Sequence, residues 1–171
     1  MQRVLLACAL ITAVASSAHA DHDCDVKIKK GIVLHASFAY DRGCMFQSLQ
    51  VNGKKYDDID KATPKAMAAL GWKKAKDAKK RELAMMWVDD VLARVGEYRV
   101  VQSADKPEFG KLFYEPKTES KDGAVTITYW RDDTIIGMRQ PEFRSYVETE
   151  VTIDAKGALT VNDLQSYKEP F

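Results

Sequence analysis

WKKAKDAKKRELAMMWVDDVLARVG, residues 72–96, is the stretch whose spacing sets the fold. At about 100° per residue, Ala84, Trp87, Val88, Val91, Leu92 and Val95 fall on one broad side of a helix. Gly96 follows as a stop, because glycine enters the left-handed conformation that ends a helix without steric cost. The spacing predicts a long helix over 72–95 with one side that must be covered. Its first turns differ: Lys73, Lys74, Lys76, Lys79, Lys80 and Arg81 bring positive charge to the end of a helix that prefers acids. Lys73, Lys80 and Arg81 also lie on the sector that is apolar further along, so these turns are expected to leave the core and project into water.

The chain downstream offers the cover. Strand-like runs recur over 98–102, 111–114, 124–130, 143–153 and 158–161. The best alternation sets Val147, Thr149, Val151 and Ile153 against Glu148, Glu150 and Thr152, one face buried and the other wet. Asp154, Ala155, Lys156 and Gly157 read as the tight turn joining the last two runs. Upstream, residues 25–29 alternate and Ile32, Val33 and Leu34 run apolar, one strand or a bent pair. Asn52 and Gly53 then give a hairpin that places Val51 opposite Lys54 and Leu49 opposite Tyr56. After the acidic connection 57–60, Thr63 and Pro64 fit a helix cap with proline at the first helical position, and that helix ends at Gly71. The strands lack intervening helices long enough for parallel crossovers. The expected fold is α+β: a long helix packed on a curved antiparallel β-sheet, a meander, preceded by an N-terminal β-hairpin region.

Residues 1–20 read as a cleavable secretory signal peptide, and 21–171 as a single globular domain. Arg3 precedes an apolar stretch over 4–14, and Ala18 and Ala20 supply the small residues that the peptidase holds in shallow pockets. Cleavage after Ala20 is favoured, with a second possible site after Ala18. Eleven apolar residues fall well short of the roughly 30 Å membrane core, so no transmembrane segment is expected after cleavage. Loss of 1–20 removes Arg3 and no acid, so 25 of the 26 basic side chains remain against 25 acids. That balance gives no overall field to draw the chain to nucleic acid, and any charge-driven partner must meet a local patch. It also removes Cys8, leaving Cys24 and Cys44, which an oxidising periplasmic or extracellular location would join in a disulfide.

Two segments are candidates for binding a partner. One is the basic set Lys73, Lys74, Lys76, Lys79, Lys80 and Arg81, suited to an anionic surface. The other is the connection 131–142, where Ile135, Ile136 and Met138 stand between Arg131 and Arg139, apolar tips within a charged rim. The catalytic inventory is poor. His35 lies in an apolar strand run and reads as a satisfied core histidine. No nucleophile elbow, zinc-protease, phosphate-loop or dinucleotide pattern occurs. Asp90 is expected to pair with Arg94 on the long helix, and Asp132 and Asp133 to form a turn. No metal or cofactor is called for. The sequence reads as an exported, periplasmic binding module without catalysis, inhibitor- or immunity-like, whose partner is another envelope or secreted protein or an anionic envelope polymer. Two alternatives stand beside it: a small-molecule carrier or enzyme with a helix–sheet pocket bearing groups such as Tyr129 or Glu148, and a structural envelope component.

Overall fold

Asn52 and Gly53 take φ of 49° and 83°, the two positive values that a two-residue hairpin turn requires. They join β3 (Gly43–Val51) to β4 (Lys54–Tyr56), with Val51 opposite Lys54 and Leu49 opposite Tyr56 as the turn type demands. The computed structural model describes residues 24–29, 31–39, 43–95, 114–133 and 143–170. The N-terminal run is a bent pair, β1 (Val26–Lys29) and β2 (Ile32–Ala39), turned at Gly31. These four strands form an antiparallel sheet in the order β1-β2-β3-β4. Ile32 and Leu34 lie opposite Val51 and Leu49, and this row is buried. Across the start of β1, Cys24 and Cys44 are joined in a disulfide, as expected, with 5.7 Å between their Cα atoms.

The acidic connection proves to be the start of a helix. α1 spans Ile59–Ala69 and is capped by Asp58, whose carboxylate accepts from the backbone N–H groups of Asp60 and Lys61. A cap at Thr63 and Pro64 is therefore displaced: both lie inside the helix, and the Thr63 hydroxyl donates to the Ile59 carbonyl at 2.7 Å. Asp58 wins because it can satisfy two of the orphan N–H groups at once. The helix ends before Gly71, which adopts φ 81°.

The long helix over 72–95 is corrected to a broken segment. A short 3₁₀ turn (Trp72–Lys74) is followed by extended backbone, then by α2 (Asp77–Trp87), a π-helical turn (Val88–Leu92) and a second 3₁₀ turn (Ala93–Val95). The charge pattern accounts for the break, because α2 begins at Asp77, an acid, and leaves Lys73, Lys74 and Lys76 ahead of it. The apolar side survives the break: Ala84, Trp87, Val88, Val91, Leu92 and Val95 are all buried. Asp90 and Arg94 form no ion pair among the described residues, since the wider π turn takes residues four apart out of alignment.

The single curved sheet is likewise corrected to two. β5 (Lys117–Lys121), β6 (Ala124–Asp132), β7 (Phe143–Ile153) and β8 (Leu159–Pro170) form a second antiparallel meander in chain order. The protein is thus mixed but mostly β. α1 packs against β3, β4 and β8, and α2 against β5 and β6, so the helices lie between the sheets. Ile32, Leu34, Leu49 and Val51 from one sheet and Val125, Ile127, Val151 and Ile153 from the other join the helices in a shared core. Gly157 marks how closely the layers meet: a Cβ there would come within 2.7 Å of the Met67 Cβ on α1. Strands predicted over 98–102 and most of 111–114 lie outside the described residues.

Candidate functional site

Lys80 organises the end of the molecule where the basic segment lies. It is buried, one turn ahead of Leu83 and Ala84 on the core side of α2. The expectation that it projects into water is corrected, and the reason is an available acceptor. Its Nζ donates to the Gly123 carbonyl at 2.7 Å and stands 5.4 Å from the centre of the Trp72 ring. The carbonyl satisfies the charge, and the aromatic face adds a cation–π attraction. Trp72 in turn donates from Nε1 to the Asp154 carbonyl at 2.8 Å.

Two hairpin turns of the second sheet are drawn together by these bonds. The β5–β6 turn runs through Asp122 and Gly123, and a Cβ on Gly123 would lie 3.2 Å from Lys80 Nζ and 3.5 Å from Ala155 Cβ of the β7–β8 turn. The Asp154 carboxylate holds that second turn by accepting from the N–H groups of Lys156 and Ala158 at 2.7 and 2.8 Å. Lys73, Lys74, Lys76, Lys79 and Arg81 are exposed beside them, and Lys121 and Lys156 are exposed in or next to the turns. Three segments distant in sequence thereby contribute cations to one end. Lys79 pairs with Glu82, whose carboxyl is held below its ordinary range by that contact. Asp77 and Asp122 are the other exposed acids of these segments. The sequence pattern missed Lys121 and Lys156 because nothing local links them to residues 73–81.

Arg131 is built into the sheet and does not rim a loop. It lies on the core-facing side of β6 and is buried. Nε donates to Thr149 Oγ1 and Nη2 to the Asp163 carboxylate, each at 3.0 Å, and Nη1 pairs with Asp133. Burial by itself would lower its pKa, but the Asp163 and Asp133 carboxylates outweigh it and raise the pKa above the ordinary arginine value. Asp133 also donates its backbone N–H to the Ser145 carbonyl at 2.8 Å. A buried guanidinium needs such a set of acceptors, and having them it is unavailable to a partner. Ile135, Ile136, Met138 and Arg139 lie outside the described residues.

Tyr129 and Glu148 do not share a pocket. Tyr129 is buried among the core residues, whereas Glu148 pairs in register with Trp130 and so lies on the opposite face of the sheet. There Glu148 accepts from the Tyr114 hydroxyl and, at 2.6 Å, from Gln165 Nε2. Burial and the neighbouring carboxylate push the Tyr114 hydroxyl well above its usual pKa, which keeps it protonated as the donor. Trp130 and Tyr146 form a small second cluster on this face, with Tyr114 and Tyr167 packed against it.

His35 is corrected from a core residue to a half-exposed one. Its Nδ1 lies 2.7 Å from the Asp25 carboxylate, whose other oxygen accepts from the Ala36 N–H at 3.0 Å. The hydrogen bond from His35 holds the Asp25 carboxyl below its ordinary range. Asp25 was unremarkable in sequence, ten residues away, and only the β1–β2 pairing brings the two together. Ser48 faces His35 across β2 and β3, completing a row of acid, imidazole and hydroxyl. That row is not a nucleophilic triad here, because Ser48 Oγ is fully buried and makes no hydrogen bond. Among the described residues no three histidine, cysteine, aspartate or glutamate side chains cluster to hold a metal. No described helix is long and apolar enough to cross a membrane. Comparison with family models, with curated proteins and with solved structures gives no match.

Proposed function

We propose that this is an exported, non-catalytic binding module that docks an acidic envelope or secreted protein on its basic end, in the manner of an inhibitor or immunity factor. The carrying observation is the convergence of Lys73, Lys74, Lys76, Lys79, Arg81, Lys121 and Lys156 from three separate segments. In a chain whose charges otherwise nearly cancel, a formal +1 overall, such a local excess supplies orientation and a fast encounter with an anionic surface. The Lys80 and Trp72 bonds fix the turns that carry it, which limits the ordering cost on binding. The Cys24–Cys44 disulfide fits an oxidising compartment, and residues 1–20 serve as the export signal.

The test is charge reversal. The variant Lys73→Glu, Lys74→Glu, Lys76→Glu, Lys79→Glu should keep its fold by circular dichroism, since all four side chains are exposed. Its affinity for the partner captured by the unaltered protein from periplasmic extract should fall at least about tenfold, and the unaltered complex should weaken with added salt over the ~10 Å screening regime. Undiminished, salt-independent capture of the same partner would remove the basic end from the interface.

A further inference from the structure

Asparagine followed by glycine is a chemically weak point in a chain, because the backbone nitrogen of the glycine can attack the side-chain amide before it. Glycine permits the attack, having no Cβ to obstruct the approach or to restrict the turning of its peptide plane. The chain has two asparagines, Asn52 before Gly53 and Asn162 before Asp163, and the structure places them in opposite circumstances.

Asn52 and Gly53 stand outside the β3–β4 ladder, which closes at Val51 and Lys54. In such a turn the ladder engages the flanking residues and leaves the amide between the two central ones to water. Asn52, Gly53, Lys54 and Lys55 are all exposed. On its other side Asn52 is anchored. Its backbone N–H donates to the Gly31 carbonyl at 2.6 Å, and its Oδ1 rests so near Gly31 that a Cβ there would come within 2.6 Å of it. The residue is thus held in place while the peptide plane beyond it can turn. Two lysines directly follow, and positive charge favours loss of the Gly53 amide proton by stabilising the nitrogen anion that results.

Asn162 has none of this freedom. It lies within β8 in register with Glu150, and the nitrogen that would attack it belongs to Asp163, whose side chain is tied to Arg131. Asp122 and Gly123 repeat the backbone shape of the Asn52–Gly53 turn, with φ of 52° and 78°. That second turn is clamped, because Lys80 holds the Gly123 carbonyl at 2.7 Å.

We propose that Asn52 is a self-modifying site, which deamidates in the folded protein with water as the only other reactant. The Gly53 nitrogen, its proton lost to solvent, bonds to Asn52 Cγ; the Cγ–Nδ2 bond breaks, and Nδ2 takes up a proton and leaves as ammonia. Water then opens the five-membered imide at one of its two carbonyl carbons, with no change of oxidation state. Opening at Cγ restores the backbone and leaves aspartate. Opening at the backbone carbonyl routes the chain through Cγ and adds one atom to it, which is isoaspartate. Aspartate keeps the turn, since it tolerates positive φ. Isoaspartate does not fit a two-residue turn whose twist must match both strands, so the register that sets Leu49 opposite Tyr56 is lost with it.

Peptide mass spectrometry of the native protein, aged in mildly alkaline buffer, should find Asn52 converted to aspartate and isoaspartate at least about tenfold faster than Asn162. Asp122→Asn, an exposed substitution, gives the clamped turn the same dipeptide, and this asparagine should also lag Asn52 at least about tenfold. Asn52 still intact in the native protein when the same chain unfolded in guanidinium has fully converted, or equal conversion at positions 52 and 122, would each overturn the proposal.

Discussion

Trp72→Ala is expected to lower the unfolding free energy by about 3–5 kcal/mol, the range for removing a large buried aromatic side chain. Trp72 is fully buried, and three separate contacts depend on it. Its ring fills the space between the start of the helical layer and the second sheet, its Nε1 donates to Asp154, and its face lies against Lys80. Truncation removes the apolar area, leaves the Asp154 carbonyl without its indole donor and deprives the Lys80 cation of its aromatic neighbour. Urea unfolding followed by far-ultraviolet circular dichroism measures the total. Trp72→Phe separates the parts: it restores most of the apolar volume but not the N–H, so it should remain about 1–2 kcal/mol below the unaltered protein. A Trp72→Ala loss below about 1 kcal/mol would mean that the two turns are held by other contacts.

The double variant Cys24→Ala, Cys44→Ala should lose about 3 kcal/mol, because the bridge closes a segment with a sequence separation of 20 and restricts the unfolded chain accordingly. The loss should appear in the midpoint of thermal unfolding. Addition of a thiol reductant should destabilise the unaltered protein by a similar amount and leave the double variant unchanged. An unaltered protein indifferent to reductant would show that the β1–β2–β3 sheet holds the Cys24 segment without the bridge. The Asp25–His35 contact lies next to Cys24 and ties the same segment to β2, but both side chains are partly open to water, so its contribution is small beside the disulfide.

Features governed by near neighbours were legible in the sequence. The Asn52–Gly53 turn and the registers it imposes follow from two residues that tolerate positive φ. The buried row Val147, Thr149, Val151 and Ile153 follows from the two-residue period of a strand, and the buried side of the helical segment from its 3.6-residue period. What failed was whatever depends on distant partners. Hairpin signals say which strands are neighbours but not whether two meanders share an edge, so two sheets on opposite sides of the helices carry the same local pattern as one. Lys80 and Arg131 carry the residue types of a wet surface. Each is buried because a particular acceptor, the Gly123 carbonyl in the β5–β6 turn or the Asp163 carboxylate on β8, reaches it from a distant part of the chain. The helix break is legible in part: cations are misplaced at a helix start, but their spacing does not say that the helix begins instead at Asp77.

The burial of all three tryptophans has a practical consequence. Trp72, Trp87 and Trp130 are the whole indole complement of the chain, and each is withdrawn from water at a different level. Trp72 sits at the basic end, Trp87 within the helical layer and Trp130 on the outer face of the second sheet. Their emission should therefore lie toward the blue and resist iodide quenching in the native protein, shifting to the red when the layers separate. Single Trp→Phe variants would assign that shift layer by layer, giving the molecule three built-in optical reporters of where it first comes apart.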